Sequence, residues 1–189
     1  MIHVILQDVE EKLKNHPKRL THVMGVYETS VKIAKYYGFD VEKVAIAALL
    51  HDYMKYETFE NFFNWVSREE IIKYKDTPVI YHAIAAANYY LKTYGKDPEI
   101  YEAIRYHVWG NVRMSNVAKA VFVSDYCEPS RTIPDKQYIY EVAFENLDAC
   151  VLYCMQATRI DLERRKLPIS SEQLECIKYY EELLMYGKN

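Results

Sequence analysis

The stretch VAIAALLHDYMK, residues 44–55, decides how this chain folds. Its first seven residues carry no polar side chain, and His51 and Asp52 follow at once. Behind a capping Asp40, such a run reads as a helix through about Met54 that is apolar all round and therefore buried. A carboxylate held at its end is costly in apolar surroundings unless another charge compensates it. One bound cation neutralises Asp52 and also uses the neighbouring imidazole. Metal binding is the first hypothesis.

Working outward, the same pattern recurs on other helices at spacings of three and four residues. His22 shares a stripe with Val26 and Ile33, and His82 continues to Ala85, Ala86 and Tyr89. His107 follows Ile100, Ala103 and Ile104, while Asp125 follows Ala118, Val121 and Phe122. The spacing predicts six inward-facing side chains from five helices. One histidine on an apolar face is ordinarily a core residue with a single hydrogen bond. Four imidazoles and two carboxylates together carry a desolvation cost that ligation relieves. The His/Asp mixture suits iron, manganese or zinc, and six ligands exceed one four-coordinate site, so a dinuclear centre bridged by a carboxylate is expected. His3 reads as a surface residue and His16 as a loop residue before Pro17.

Helical punctuation runs from end to end, and no stretch reads as a strand. Residues 2–14 form an amphipathic pattern. Pro17 opens a helix that Gly38 ends. Ser67 and Glu70 have the form of a capping box, and Pro78 starts a helix ending near Gly95. Asp97 and Pro98 open a helix to about His107, and Ser115 caps one through Cys127. Two more follow, near 136–165 (broken or continuous) and 171–186. The expected fold is all-α, in one domain.

Composition agrees. Of the 189 residues 50% are hydrophobic and 27% charged, and only 5 Gly and 6 Pro leave little material for a loop-rich or all-β design. A formal charge of −3 excludes broad non-specific nucleic-acid binding, so an anionic ligand must meet a local basic cluster. No apolar run reaches the roughly 18 residues that would span a bilayer. The N-terminal residues lack a charged-then-apolar signal pattern, which leads us to expect a cytoplasmic protein. Cys127, Cys150, Cys154 and Cys176 form no CxxC pair and read as buried free thiols, although the spacing of Cys150 and Cys154 would also allow zinc.

The spaced His…His-Asp…His…His…Asp series resembles the HD-domain metal-dependent phosphohydrolases. The strings HPKRLTH (16–22), LLHDYMK (49–55), AIRYH (103–107), MSNVAK (114–119) and SDYCEPSR (124–131) are similar to the YqeK type, the symmetrical bis(5'-nucleosyl)-tetraphosphatases. The resemblance covers nearly the whole chain. It implies an HD domain over 1–189, with a core of about 17–127 and C-terminal helices at about 136–186. It also implies hydrolysis of diadenosine tetraphosphate to two ADP at a di-iron centre. One metal would be held by His22, His51, Asp52 and Asp125, the other by His82 and His107, with Asp52 bridging. Two departures stand out: HAIAAA around His82, where glycine is common, and Val108-Trp109, where two threonines are common.

The chemistry needs a nucleophile at neutral pH and neutralisation of phosphoryl charge; two metals lower the pKa of a shared water and polarise a phosphate oxygen. Lys55, three residues beyond Asp52, can act there as a point charge. Arg131 is the leading candidate to fork onto a second phosphate, with Arg19 behind it. Arg105 reads as structural, and the run Arg164-Arg165-Lys166 as a solvated helix end. Among the 19 tyrosines, Tyr53 and Tyr56, together with Trp109, lie close enough in sequence to stack on a base. The competing readings are an HD nucleotidase acting on (deoxy)nucleoside mono- or triphosphates and a degenerate nucleotide-binding sensor. A small nucleotide is the expected partner, with a homodimer left open.

Overall fold

In the computed structural model, which describes residues 1–187, the 44–50 run lies inside a helix with every one of its side chains buried. That helix, α3 (Val41–Leu50), is capped by Asp40, whose carboxylate accepts the Lys43 amide at 3.1 Å. Around it stand α1 (Ile2–Leu13), α2 (Pro17–Tyr37), α4 (Phe59–Phe62), α5 (Arg68–Lys73), α6 (Tyr81–Thr93), α7 (Pro98–Arg105) and α8 (Asn116–Cys127). The chain closes with α9 (Lys136–Glu145), α10 (Leu147–Arg164) and α11 (Ser171–Tyr186). Among the described residues there is no strand. The fold is all-α.

α3 packs on α2, α7 and α8, and α1 covers its outer side. α2 lies along α8, while α10 joins that layer through α8 and carries α9 and α11. Caps fix these elements where the sequence places them. Ser67 and Glu70 complete a capping box, Asp97 accepts the Glu99 and Ile100 amides, and Ser115 accepts Ala118 N–H at 3.2 Å. Gly38 ends α2 at φ 72, a conformation that a side chain would disfavour.

Several boundaries differ from expectation. α3 stops at Leu50 rather than near Met54, and the chain continues in three-residue turns, with Tyr53 N–H on Leu50 O at 3.1 Å and Lys55 N–H on Asp52 O at 3.0 Å. Three residues per turn put side chains i and i+3 over one another, which brings Lys55 beside Asp52. α7 likewise ends at Arg105, so His107 sits in the following turn, closed by Gly110 at φ 82 donating to Tyr106 O at 2.8 Å. Pro78 opens a 3₁₀ turn, Pro78–Ile80, before α6 begins. The 136–165 segment breaks at Asn146, whose side chain caps α10 through Ala149 N–H at 3.0 Å.

Arg105 bonds Glu70 at 2.6 Å and is structural. The four cysteines are buried and free, and Cys150 donates to Ile139 O at 3.3 Å, as packed thiols do. No described helix is long and apolar enough to cross a membrane.

Candidate metal centre

The six expected residues meet. His22 comes from α2, His82 from α6 and Asp125 from α8, while His51, Asp52 and His107 lie in the turns just beyond α3 and α7. All four histidines and Asp52 are buried, and the Asp125 side chain keeps about a fifth of its surface open. His3 is exposed, and His16 lies outside the cluster, at the mouth of α2.

The carboxylate of Asp52 divides the cluster in two. Its Oδ2 stands 3.7 Å from His22 Nε2 and 3.5 Å from His51 Nε2, which are themselves 3.4 Å apart. Asp125 Oδ1 joins this group at 2.9 Å from His22 Nε2 and 3.9 Å from His51 Nε2. On the other side, Asp52 Oδ1 stands 3.0 Å from His82 Nε2 and 3.5 Å from His107 Nε2, with 3.1 Å between the two rings. Ligands about 2.1 Å from a shared cation, at angles between octahedral and tetrahedral, lie about 3.0–3.4 Å apart. Six of the eight separations, 2.9–3.5 Å, fall at or next to that range, while His22–Asp52 at 3.7 Å and His51–Asp125 at 3.9 Å are wider.

The outer ring nitrogens fix what the inner ones present. His51 Nδ1 donates to Ala48 O at 2.6 Å, His107 Nδ1 to Ile104 O at 2.7 Å, and His22 Nδ1 to Glu128 Oε1 at 2.9 Å. Their Nε2 atoms therefore turn bare lone pairs inward. His82 Nε2 also acts as an acceptor, taking Lys55 Nζ at 3.2 Å. Burial and the Lys55 ammonium push His82 down to about 4, partly opposed by Asp52, so the ring is neutral near pH 7. Four lone pairs thus converge on Asp52, whose buried Oδ1 accepts no hydrogen bond from the protein. Such a set repels itself unless cations stand between its members. The residues fit metal ions.

Two arginines reach the same carboxylates. Arg19 Nη1 binds Asp52 Oδ2 at 2.6 Å; Arg131 binds Asp125 Oδ1 through Nη2 at 2.5 Å and the Asp125 carbonyl through Nε at 2.7 Å. Lys55 Nζ stands 3.5 Å from Asp52 Oδ1. Burial raises the Asp125 carboxyl, but His22 and Arg131 outweigh it and hold the group well below the usual carboxylate range. From Asp125 and Arg131 a cleft of about 900 Å³ opens along α10, lined by Tyr126, Ile133 and Tyr153 and reached by Arg164 and Arg165. The run at 164–166, expected only to solvate a helix end, thus places two arginines on the cleft. Val108 also lines it, whereas Trp109 is buried against Tyr74.

One residue escaped the sequence reading. Glu128 is fully buried and accepts His22 Nδ1–H, Ser130 N–H at 2.6 Å and the Ser130 hydroxyl at 2.5 Å. A carboxylate behind a metal-facing histidine fixes its tautomer and strengthens its donor nitrogen.

The HD domain family model matches residues 19–130, which span α2 through α8 and all six clustered residues. The chain belongs to the HD domain family. Within it, three curated proteins named symmetrical bis(5'-nucleosyl)-tetraphosphatase are similar over most of their length. The Staphylococcus aureus protein is 32% identical, covering 90% of each chain. Those from Halalkalibacterium halodurans and Bacillus subtilis are 31% and 30% identical, covering 97% of each chain, and 85% of this chain and 87% of the other. A crystal structure from Clostridium acetobutylicum, described as a predicted HD superfamily hydrolase involved in NAD metabolism, superposes with a TM-score of 0.87 at 25% identity. It covers 96% of this chain and 97% of the other, so this HD domain and its C-terminal helices share one arrangement with that hydrolase.

Proposed function

We propose that this HD-domain protein is a metal-dependent hydrolase that cleaves dinucleoside tetraphosphates symmetrically, releasing two ADP from diadenosine tetraphosphate. The observation that carries the reading is the division of Asp52, with one oxygen facing His22 and His51 and the other facing His82 and His107. The names of the three curated relatives support the reaction class. We read the centre as dinuclear, with His22, His51, Asp52 and Asp125 around one ion, His82 and His107 around the other, and Asp52 shared. Iron is our assignment, with manganese and zinc as the alternatives that His/Asp ligands accept.

When bound, such ions supply a water of lowered pKa and neutralise charge on a phosphoryl oxygen. The chain's own groups do the rest. Asp52 orients both halves of the centre through its two oxygens. Lys55, held against Asp52 and His82, sets a positive charge where an oxygen of the attacked phosphate would lie. Arg131 is anchored on Asp125 through both Nε and Nη2, so its remaining Nη1 is held beside the centre for a phosphate. The cleft beyond it has apolar walls and two further arginines for one nucleotide half. The leaving group is a nucleoside diphosphate, already a stable anion, so no strong general acid is required.

The domain, in this reading, includes the C-terminal helices, because α10 forms the cleft wall. Four buried free thiols suit a reducing cytoplasm. The test is metal content of anaerobically prepared protein together with product analysis. Two ions per chain and ADP as the sole nucleotide are expected. Equal amounts of AMP and ATP would place attack at an outer phosphorus and refute the reading, and consumption of nucleoside monophosphates would favour a nucleotidase.

A further inference from the structure

We propose that Tyr56, backed by His16, is the stacking platform for the nucleobase of the second nucleotide half. The inference rests on the symmetrical reaction proposed above. A substrate cut at its centre presents two chemically identical ends, each needing a partner for phosphate and a surface for a base. The α10 cleft offers both to one end. None of His16, Arg19, Lys55 and Tyr56 lines that cleft.

These four residues supply the same pair of features at the centre's other flank. His16 and Tyr56 lie face to face, with ring centroids 3.7 Å apart and planes 12° from parallel. One face of Tyr56 is covered by the imidazole, yet the residue remains 51% exposed, so its other face is open. The platform is tied to the centre through both chain segments. Tyr56 directly follows Lys55, and His16 stands one turn before Arg19. Arg19 uses Nη1 on Asp52, and its side chain keeps about a fifth of its surface open. The open part of that guanidinium can receive a phosphate oxygen. A base on the open face of Tyr56 would then have its phosphates cross Arg19 and Lys55 toward Asp52.

The other aromatics near the centre do not offer this. Tyr53 is stacked on Tyr89 at 4.7 Å and partly buried, with the two hydroxyls 3.3 Å apart. Trp109 is 6% exposed. Because every base has a π-face, the platform holds a base without selecting which one.

The test compares wild type with Tyr56→Ala, Tyr56→Phe and His16→Ala, all loaded with the same metal. Tyr56→Ala should raise KM for diadenosine tetraphosphate roughly tenfold, the scale of one lost base stack, and leave kcat nearly unchanged. Tyr56→Phe should retain the wild-type KM, and His16→Ala should fall between. KM for diguanosine tetraphosphate should rise alike. Inhibition by inorganic tripolyphosphate, which has no base, should be the same in every variant. If wild type yields no ADP, the proposed reaction fails, and the platform with it. If wild type yields ADP and Tyr56→Ala keeps its KM, only the platform is overturned. It is also overturned if Tyr56→Ala weakens tripolyphosphate inhibition as much as it raises KM, or if it lowers kcat and metal content instead.

Discussion

Gly25→Ala should weaken both the fold and its metal affinity, although the substitution is ordinarily stabilising. Gly25 lies inside the 21-residue helix α2, where alanine is favoured over glycine by about 1 kcal/mol. Here a Cβ would stand 2.3 Å from Glu128 Oε2, 3.0 Å from its Cδ and 3.3 Å from its Cβ. Glu128 has nowhere cheap to go, because three hydrogen bonds, from His22 Nδ1 and both donors of Ser130, hold its carboxylate. Displacing it forfeits at least one charge-assisted bond, about 1.5–3 kcal/mol. Set against the helical gain, the net is a loss of roughly 0.5–2 kcal/mol. Freed from Glu128, His22 loses its fixed tautomer, and metal affinity should fall about 10- to 100-fold. Chemical denaturation reads the first quantity and competition with a chelator the second. In a Glu128→Ala background the carboxylate is gone and only the 3.3 Å contact remains, so Gly25→Ala should recover most of its helical benefit. Equal effects of Gly25→Ala in both backgrounds, or a stabilised wild type with unchanged metal affinity, would refute the reasoning.

Asp52→Asn should abolish turnover and release metal with an unchanged far-UV spectrum, since in the proposed centre both halves share that carboxylate. His82→Ala and His107→Ala should each lose one ion by elemental analysis and retain the other; one tightly bound ion per chain, untouched by His82→Ala, would contradict the two-ion assignment. Arg131→Ala should lower kcat/KM for diadenosine tetraphosphate roughly ten- to a few hundred-fold, the worth of one charge-assisted hydrogen bond, with metal content preserved. Glu70→Gln tests the pairing with Arg105. Burial pushes the Glu70 carboxyl up, but the Arg105 hydrogen bond more than offsets this, so its folded value lies below the ordinary one. The stabilisation is therefore present above the ordinary carboxylate range and lost as pH falls through the folded value. The variant should be less stable than wild type at pH 7 by under about 1 kcal/mol, and the difference should vanish in acid.

Local chemistry explains why so much of the fold is legible in the sequence. The caps at Asp40, Ser67, Asp97 and Ser115 act within three residues, and Gly38 ends α2 by its own conformational freedom, so each can be read without tertiary knowledge. The ligand cluster is legible for a related reason: helical spacing tells which side chains face the core, and six metal-type side chains facing one core have few other uses. What fails is the last turn. α3 and α7 give way to turns at His51 and at Tyr106, where side-chain geometry around Asp52 and the left-handed Gly110 decide the backbone. No periodicity records that.

Residues that act at long range are the ones that stay hidden. Arg164 and Arg165 look like an ordinary basic helix end, and only the packing of α10 on α8 brings them to the cleft beside Asp125. Glu128 is 106 positions from the ring it orients, in a segment that reads as a helix terminus before a proline. Yet it does leave a trace elsewhere in the chain. Gly25 sits three residues after His22 in the middle of a long helix, a position with no turn, cap or positive φ to justify glycine. A glycine that costs a helix stability without serving its backbone implies that something approaches closely on that face. Here the approaching group is the Glu128 carboxylate, aimed at the imidazole one turn away. The signal for the hidden partner was the side chain that α2 does without.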